Sequence, residues 1–328
     1  MSELARNLAK PKPTLASLNE TPITEVEDPG DDSSSASSMS STGTIMPTST
    51  LKPATNVHWS DFFAQELYLE QETPSGGHAK FHVYLTPPAT PKAPLMIMHH
   101  GAGSAALTFA LFALEVKKLM PELGLLAVEA RDHGSVVYTS TGEVDDDLTL
   151  ANLSQDFADI VHLTQKKMGW EKLPQLLIVG HSLGGAVVTD TVKKELLGAS
   201  NVIGYVVIDV VEGSAMDALK HMQAYLASRP ATFPSIEAAV EWHIRSRTLR
   251  NLESAKASVP SLFIESPSGQ LAWRTSLSKT ESYWENWFTH MSSKFLSAKG
   301  AKLLLLAGTD RLDKELMIGQ MQGMQLVF

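Results

Sequence analysis

Short apolar runs separated by amphipathic stretches recur along this 328-residue chain from about residue 59 onward. Glu66–Gln71 and Lys80–Thr86 alternate apolar and polar residues, as a hairpin with one covered face does, and Ser75-Gly76-Gly77 supplies its turn. After the proline-rich connection Pro87–Pro94, Leu95–Met98 is continuously apolar, the pattern of a parallel strand buried on both faces. The spacing then predicts a helix over Leu107–Met120, a strand over Leu125–Glu129 and a long helix over Ala151–Met168. That long helix lines up Leu153, Phe157, Ile160, Val161 and Thr164 on one face. A strand at Leu176–Val179, a helix from Ala186 to Leu197 ending at Gly198, and a strand at Tyr205–Ile208 follow.

From there to Gly300 the strand pattern stops, and the stretch of about 212–300 reads as a mostly helical insertion. Met216, Leu219, Met222 and Leu226 share a helical face, and Ser235 stands as the N-cap of another helix. Four of the six tryptophans fall here, Trp242, Trp273, Trp284 and Trp287, and are expected either to pack this cap on the body or to shape a substrate channel. Lys302–Leu306 resumes the strands, and Met324–Phe328 starts one more. Alternating strands and helices imply a mostly parallel sheet with helices on both faces. The insertion then caps the carboxyl ends of the strands, where ligands bind in open α/β sheets.

The other end of the chain is different. Residues 1 to about 55 are expected to be a disordered tail: seven of the nine residues from Ser33 to Ser41 are serine, and prolines flank the run. Such a segment buries too little apolar surface to offset its chain entropy. Residues 1–20 lack the apolar core of a signal peptide. No run reaches the ~20 apolar residues of a membrane helix. A net charge of −9 without a basic stripe argues against nucleic acid. The chain has no cysteine, which excludes disulfides, thiolate metal sites and a cysteine nucleophile. The expectation is an intracellular protein of the cytoplasm or nucleus, with no metal and no cofactor.

The chemistry concentrates at Ile178-Val-Gly-His-Ser-Leu-Gly-Gly-Ala186, where Ser182 is centred in Gly-x-Ser-x-Gly between a strand and a helix. This resembles the nucleophile elbow of α/β-hydrolases. The flanking glycines let the turn tighten and the helix lie close to the sheet. Acyl transfer also needs donors for the oxyanion, a base, and an acid that orients the base. The Leu183 N–H is one donor. The other is expected from the loop after the third strand, His99-His100-Gly101-Ala102-Gly103, with Ala102 as the donor. Asp209 and Asp310 each end a strand, and position alone leaves the acid open between them. No histidine stands where the fold expects the base. His290 lies within Trp287–Phe295, read as a cap helix. His181 is expected to point away from the nucleophile, and His99, His100 and His133 read as loop structure. The base is therefore expected to be missing from these residues.

Several further segments carry a more specific resemblance: Ile208-Asp-Val-Val-Glu-Gly-Ser-Ala-Met-Asp-Ala-Leu219, Arg250-Asn-Leu-Glu-Ser-Ala255, and Lys302–Gly308 with Asp310-Arg-Leu-Asp-Lys314 and Ile318-Gly-Gln-Met-Gln-Gly323. Over roughly residues 57–323 the chain is similar to the protein phosphatase methylesterases. That resemblance implies demethylation of the C-terminal leucine of the type-2A protein phosphatase catalytic subunit, with Ser182 as nucleophile and Asp209 as acid. Asp310 is then a structural or supporting residue. It also implies a histidine a short distance beyond Gly323. Ala102 departs from relatives that carry glycine there. The competing expectations are a general esterase for small or lipid esters, and an inactive hydrolase fold that binds the phosphatase.

Overall fold

The computed structural model describes residues 57–308, 312–323 and 326–327; the serine-rich segment and Asp310 lie outside the described residues. The chain forms, in order, β1 (Gln65–Glu72), β2 (His78–Thr86), β3 (Leu95–His99), α1 (Ala110–Leu119), β4 (Gly124–Val128), β5 (Val136–Tyr138), α2 (Leu150–Met168), β6 (Leu176–His181), α3 (Leu183–Lys193) and β7 (Val202–Ile208). Then come α4 (Glu212–Ser228), β8 (Thr232–Phe233), α5 (Ile236–Arg245), α6 (Leu252–Ser258), β9 (Phe263–Glu265) and β10 (Leu271–Trp273). The chain continues through α7 (Trp284–Phe288), α8 (Met291–Ser297), β11 (Ala301–Leu305), α9 (Lys314–Met321) and β12 (Leu326–Val327).

The main sheet runs β1-β2-β4-β3-β6-β7-β11-β12, with β5 paired to β2. The β1–β2 hairpin and the β2–β4 pair are antiparallel, and every pair from β4 to β12 is parallel. β3 lies between β4 and β6, so the winding reverses there. A crevice opens at the carboxyl ends of strands at such a reversal.

The continuous apolar strands are explained by covering on both sides. Leu95 and Ile97 of β3 join the cluster under α2, α3 and α8, while Met96 and Met98 join the one under α1. A Leu or Ile buried this way contributes about 1.5–3 kcal/mol. The face of α2 read from spacing is buried. Its amino end has no cap from Thr149, and Asn286 Oδ1 instead accepts from the Leu150 N–H at 2.8 Å. Gly169, at φ 66°, stops the helix in the left-handed conformation that glycine tolerates.

The stretch from 212 to 300 departs from the mostly helical expectation. β8, β10 and β9 form a three-stranded antiparallel sheet, with a core of Phe233, Ala239, Val240, Ala255, Val259 and Phe263. Strands of two or three residues are too short to show a period of two, so the pattern passed them by. The tryptophans divide. Trp242 and Trp273 pack on this small core, whereas Trp284 and Trp287 are buried in the main one. The Trp287 Nε1–H donates to Leu148 O at 2.7 Å. Trp287–Phe295 is not one helix either: Thr289 and His290 separate α7 from α8, and His290 sits at φ 61° as the residue before α8. Ser235 does cap α5, accepting from the Ala238 N–H at 3.3 Å. The helix after Ser182 begins at Leu183, three residues before the expected start, and ends at Lys193.

Candidate active site

Ser182 stands between β6 and α3 with φ 52° and ψ −121°, a conformation that L-residues avoid. Its surroundings impose that conformation. The Ser182 N–H donates to Ile208 O at 3.1 Å, and its carbonyl accepts from Gly185 at 2.7 Å and Ala186 at 3.3 Å. The glycines are required by close approach of backbone. A Cβ on Gly180 would come within 2.2 Å of Gly184 O, and one on Gly184 within 2.2 Å of His99 O. Strain held by neighbours in this way is a mark of functional sites.

The 99–103 loop lies directly beside the serine. A Cβ on Gly101 would lie 3.0 Å from Ser182 Cβ. Ala102 is half-buried, and among the described residues nothing accepts from its N–H or from that of Leu183. The Leu183 amide is one of the unpaired donors at the start of α3. The structure thus places Gly101 beside Ser182, with Leu183 the first residue of α3 and Ala102 the next residue of the loop.

Asp209 follows β7 at φ 55° and is half-buried. Its N–H donates to Leu305 O at 2.7 Å, and its Oδ1 accepts from the Ala307 N–H at 3.2 Å. Since Ile208 receives the Ser182 N–H, Asp209 begins one residue from the elbow. Asp310, the other candidate acid, lies outside the described residues.

All eleven histidines of the chain are described, and none hydrogen-bonds to Ser182. Their roles lie elsewhere. The His99 Nδ1–H donates to His100 O at 2.9 Å, and the His100 Nδ1–H donates to Gly101 O at 2.8 Å. His100 Nε2 accepts from the Ala130 N–H at 3.0 Å. His133 Nε2 accepts from the Gly103 N–H at 2.8 Å, and its Nδ1–H donates to Arg131 O at 2.9 Å. A nitrogen that accepts from an amide carries no proton, so His133 is neutral here. Burial, with His100 nearby, pushes His99 and His133 each down to about 3. His181 also approaches the loop. Its Nδ1 faces the oxyanion loop, 3.2 Å from where a Gly101 Cβ would stand, and has no hydrogen-bond partner among the described residues. Burial holds its pKa below the ordinary value, against the opposing pull of Asp209.

Two residues the sequence reading missed close the site from the cap side. Thr275 Oγ1 donates to Asp132 O at 2.6 Å, and Leu277 packs so tightly on Gly103 that a Cβ there would be 2.6 Å from Leu277 Cδ1. Neither has a motif; both meet the loop only through the fold. Among the described residues, no group of three or more His, Cys, Asp or Glu side chains is arranged to hold a metal, and no helix is long and apolar enough to cross a membrane.

This sheet order with a strained serine after β6 defines an α/β hydrolase, and residues 96–327 match the alpha/beta hydrolase family. Solved structures agree on the fold. A hydrolase of E-2-(acetamidomethylene)succinate superposes with a TM-score of 0.59 at 17% identity, covering 80% of this chain and 90% of that one. A thioesterase domain from the curacin biosynthetic pathway gives 0.51 at 16% identity, covering 80% and 92%. Among curated relatives, protein phosphatase methylesterase 1 of Aspergillus oryzae is 51% identical, over 98% of this chain and 82% of its own length. The Emericella nidulans protein of that name is 54% identical over 80% of this chain and 67% of its own length. The Schizosaccharomyces pombe one is 42% identical over 81% and 75%. The chain belongs to the protein phosphatase methylesterase family, a branch of the α/β hydrolases.

Proposed function

We propose that this protein cleaves the methyl ester on the C-terminal carboxylate of a protein phosphatase, and specifically of the type-2A catalytic subunit. The observation that carries this reading is the strained Ser182, set against the 99–103 loop, in a chain half identical to the Aspergillus oryzae methylesterase. Ser182 Oγ attacks the ester carbonyl, and methanol leaves. Water then releases the phosphatase tail from the acyl-enzyme. The N–H groups of Leu183 and Ala102 stabilise the oxyanion in both steps, each contributing about 3 kcal/mol. Asp209 is the acid that would orient a histidine base. The absence of cysteine suits a reducing compartment, and the reading places the enzyme in the cytoplasm or nucleus.

None of the eleven histidines meets Ser182, so the reading assigns the base to no residue of these 328. Loss of a triad member costs up to about 10⁶ in turnover. The competing reading is a phosphatase-binding fold that performs no turnover. One experiment separates them. The 328-residue chain is mixed with carboxymethylated phosphatase catalytic subunit, and methanol is measured with and without added imidazole as a surrogate base. Slow release, accelerated by imidazole and abolished in Ser182→Ala, is expected. Rapid release without imidazole refutes the missing base. Binding without release in either condition establishes the second reading. A general esterase would cleave short-chain esters as well as it cleaves the phosphatase.

A further inference from the structure

The oxyanion loop carries two consecutive amides that the elbow motif leaves undetermined, those of Ala102 and Gly103. With both unpaired, the loop has two ways to turn toward Ser182. We propose that His133 is a positioning residue of the oxyanion hole: its imidazole occupies the Gly103 N–H, so that the loop presents the preceding amide, Ala102 N–H, to the oxyanion formed at Ser182. The inference rests on the serine-esterase reading above.

The geometry is that of a fixed post. His133 is 3% exposed, and its Nε2 receives the Gly103 N–H at 2.8 Å. The opposite nitrogen is spent on Arg131 O at 2.9 Å, which sets the tautomer. Arg131 is in turn held by Asp156 of α2 in a two-point contact, Nε to Oδ2 at 2.7 Å and Nη2 to Oδ1 at 2.8 Å. That fork is geometrically rigid. From the cap, Thr275 holds the Asp132 carbonyl and Leu277 closes over Gly103. The loop therefore has a helix behind it, through Asp156, Arg131 and His133, and the cap in front. Donors aimed before the reaction starts need no reorganisation when charge develops, which is what makes an oxyanion hole effective. Burial holds His133 at about 3, so the ring stays neutral and able to accept at physiological pH. His133 touches no substrate in this scheme and acts only through Gly103.

The test contrasts two variants of similar size. His133→Asn places an amide near the Nδ1 position and keeps a donor for Arg131 O, but reaches no acceptor to Gly103. His133→Gln extends to the Nε2 position, and its Oε1 accepts from the Gly103 N–H. The full chain is acylated with p-nitrophenyl acetate, with imidazole as base. The limiting rate of labelling at Ser182 and the half-saturating ester concentration are read separately, beside the melting temperature. The expected result is a limiting rate lowered by about 100-fold in His133→Asn, as for loss of one oxyanion donor, with half-saturation unchanged and His133→Gln near the wild-type rate. Equal losses in both variants, no loss in either, or a loss confined to half-saturation overturns the positioning role. If His133→Asn does not fold, a folded His133→Gln that has lost the rate overturns it alone. Wild-type protein that is never acylated at Ser182 overturns the esterase reading itself and takes this role with it, whereas an acylated wild type with indifferent variants overturns only this role.

Discussion

The two backbone segments that meet at Ser182 are held in opposite ways. The elbow is held first by its own neighbours in sequence, with Ile208 O and the His99 and His100 carbonyls as its long-range contacts. Gly180 and Gly184 touch backbone to backbone, and the Ser182 carbonyl is bound by the next turn of α3. The 99–103 loop is held by strangers. His133 reaches it from the turn after β4, and Leu277 from beyond the three-stranded cap sheet. Asp156 and Thr275 stabilise that turn from α2 and the cap. A local device is written as a motif and survives wherever the motif folds. A remote one exists only when several elements arrive together, and it is the part of the site that distant changes in the protein can disturb.

Acid should separate the two segments most strongly. His99 and His133, their pKa lowered by burial, hold the loop side through hydrogen bonds, whereas His181 at the elbow is also lowered by burial but its Nδ1 makes no hydrogen bond. The folded values of His99 and His133 are about 3, against an ordinary 6.5. The unfolded chain therefore takes up protons first. The stability held by these two groups is complete above pH ~6.5 and is lost as pH falls toward ~3. At about 1.4 kcal/mol per pH unit for each, the pair costs about 4 kcal/mol between pH 6.5 and 5. Urea unfolding at stepped pH measures it. His133→Gln should lower the slope, His181 and His243 also contributing through their burial, and a flat profile over this range contradicts the buried neutral state of His99 and His133.

Next in size is a break in the elbow. Gly184→Ala drives a Cβ into the His99 and His100 carbonyls, at 2.2 Å and 2.7 Å. Both contacts are backbone and cannot swing away, so a loss of about 3 kcal/mol is expected. Denaturant midpoints with unchanged slope would measure it, and a loss under half that size would mean that α3 can move off the sheet. The smallest effect sharpens the loop side. Thr275→Val keeps shape and removes the donor to Asp132 O, for about 1 kcal/mol. Thermal melts should show that small shift, and labelling at Ser182 should slow by more than the melt accounts for. Labelling at the wild-type rate would show that the cap gives the loop no support.

The body was legible because its strands are long enough to show a pattern and its helices long enough to show a face. Leu95–Met98 read as buried on both sides, and α2 showed its packed stripe. The cap was not, since β8, β9 and β10 are two or three residues each and are defined only by one another. Trp273 illustrates the difficulty. It packs under Arg229, whose guanidinium lies 3.7 Å from its ring centroid, and its Nε1–H reaches Pro230 O at 2.8 Å. Nothing at position 273 itself distinguishes it from Trp287, which is buried in the main core.

What the amino-acid order determined alone is the alternation of strands and helices and the serine on its turn. Those depend on apolar spacing and on glycines a few residues apart, interactions that are complete within a short length of chain. The tertiary structure decided which amide beside that serine is left unpaired. That choice needs His133, Arg131, Asp156, Thr275 and Leu277 to converge on one loop, and hydrogen bonds between residues so far apart in the chain leave no periodicity to read.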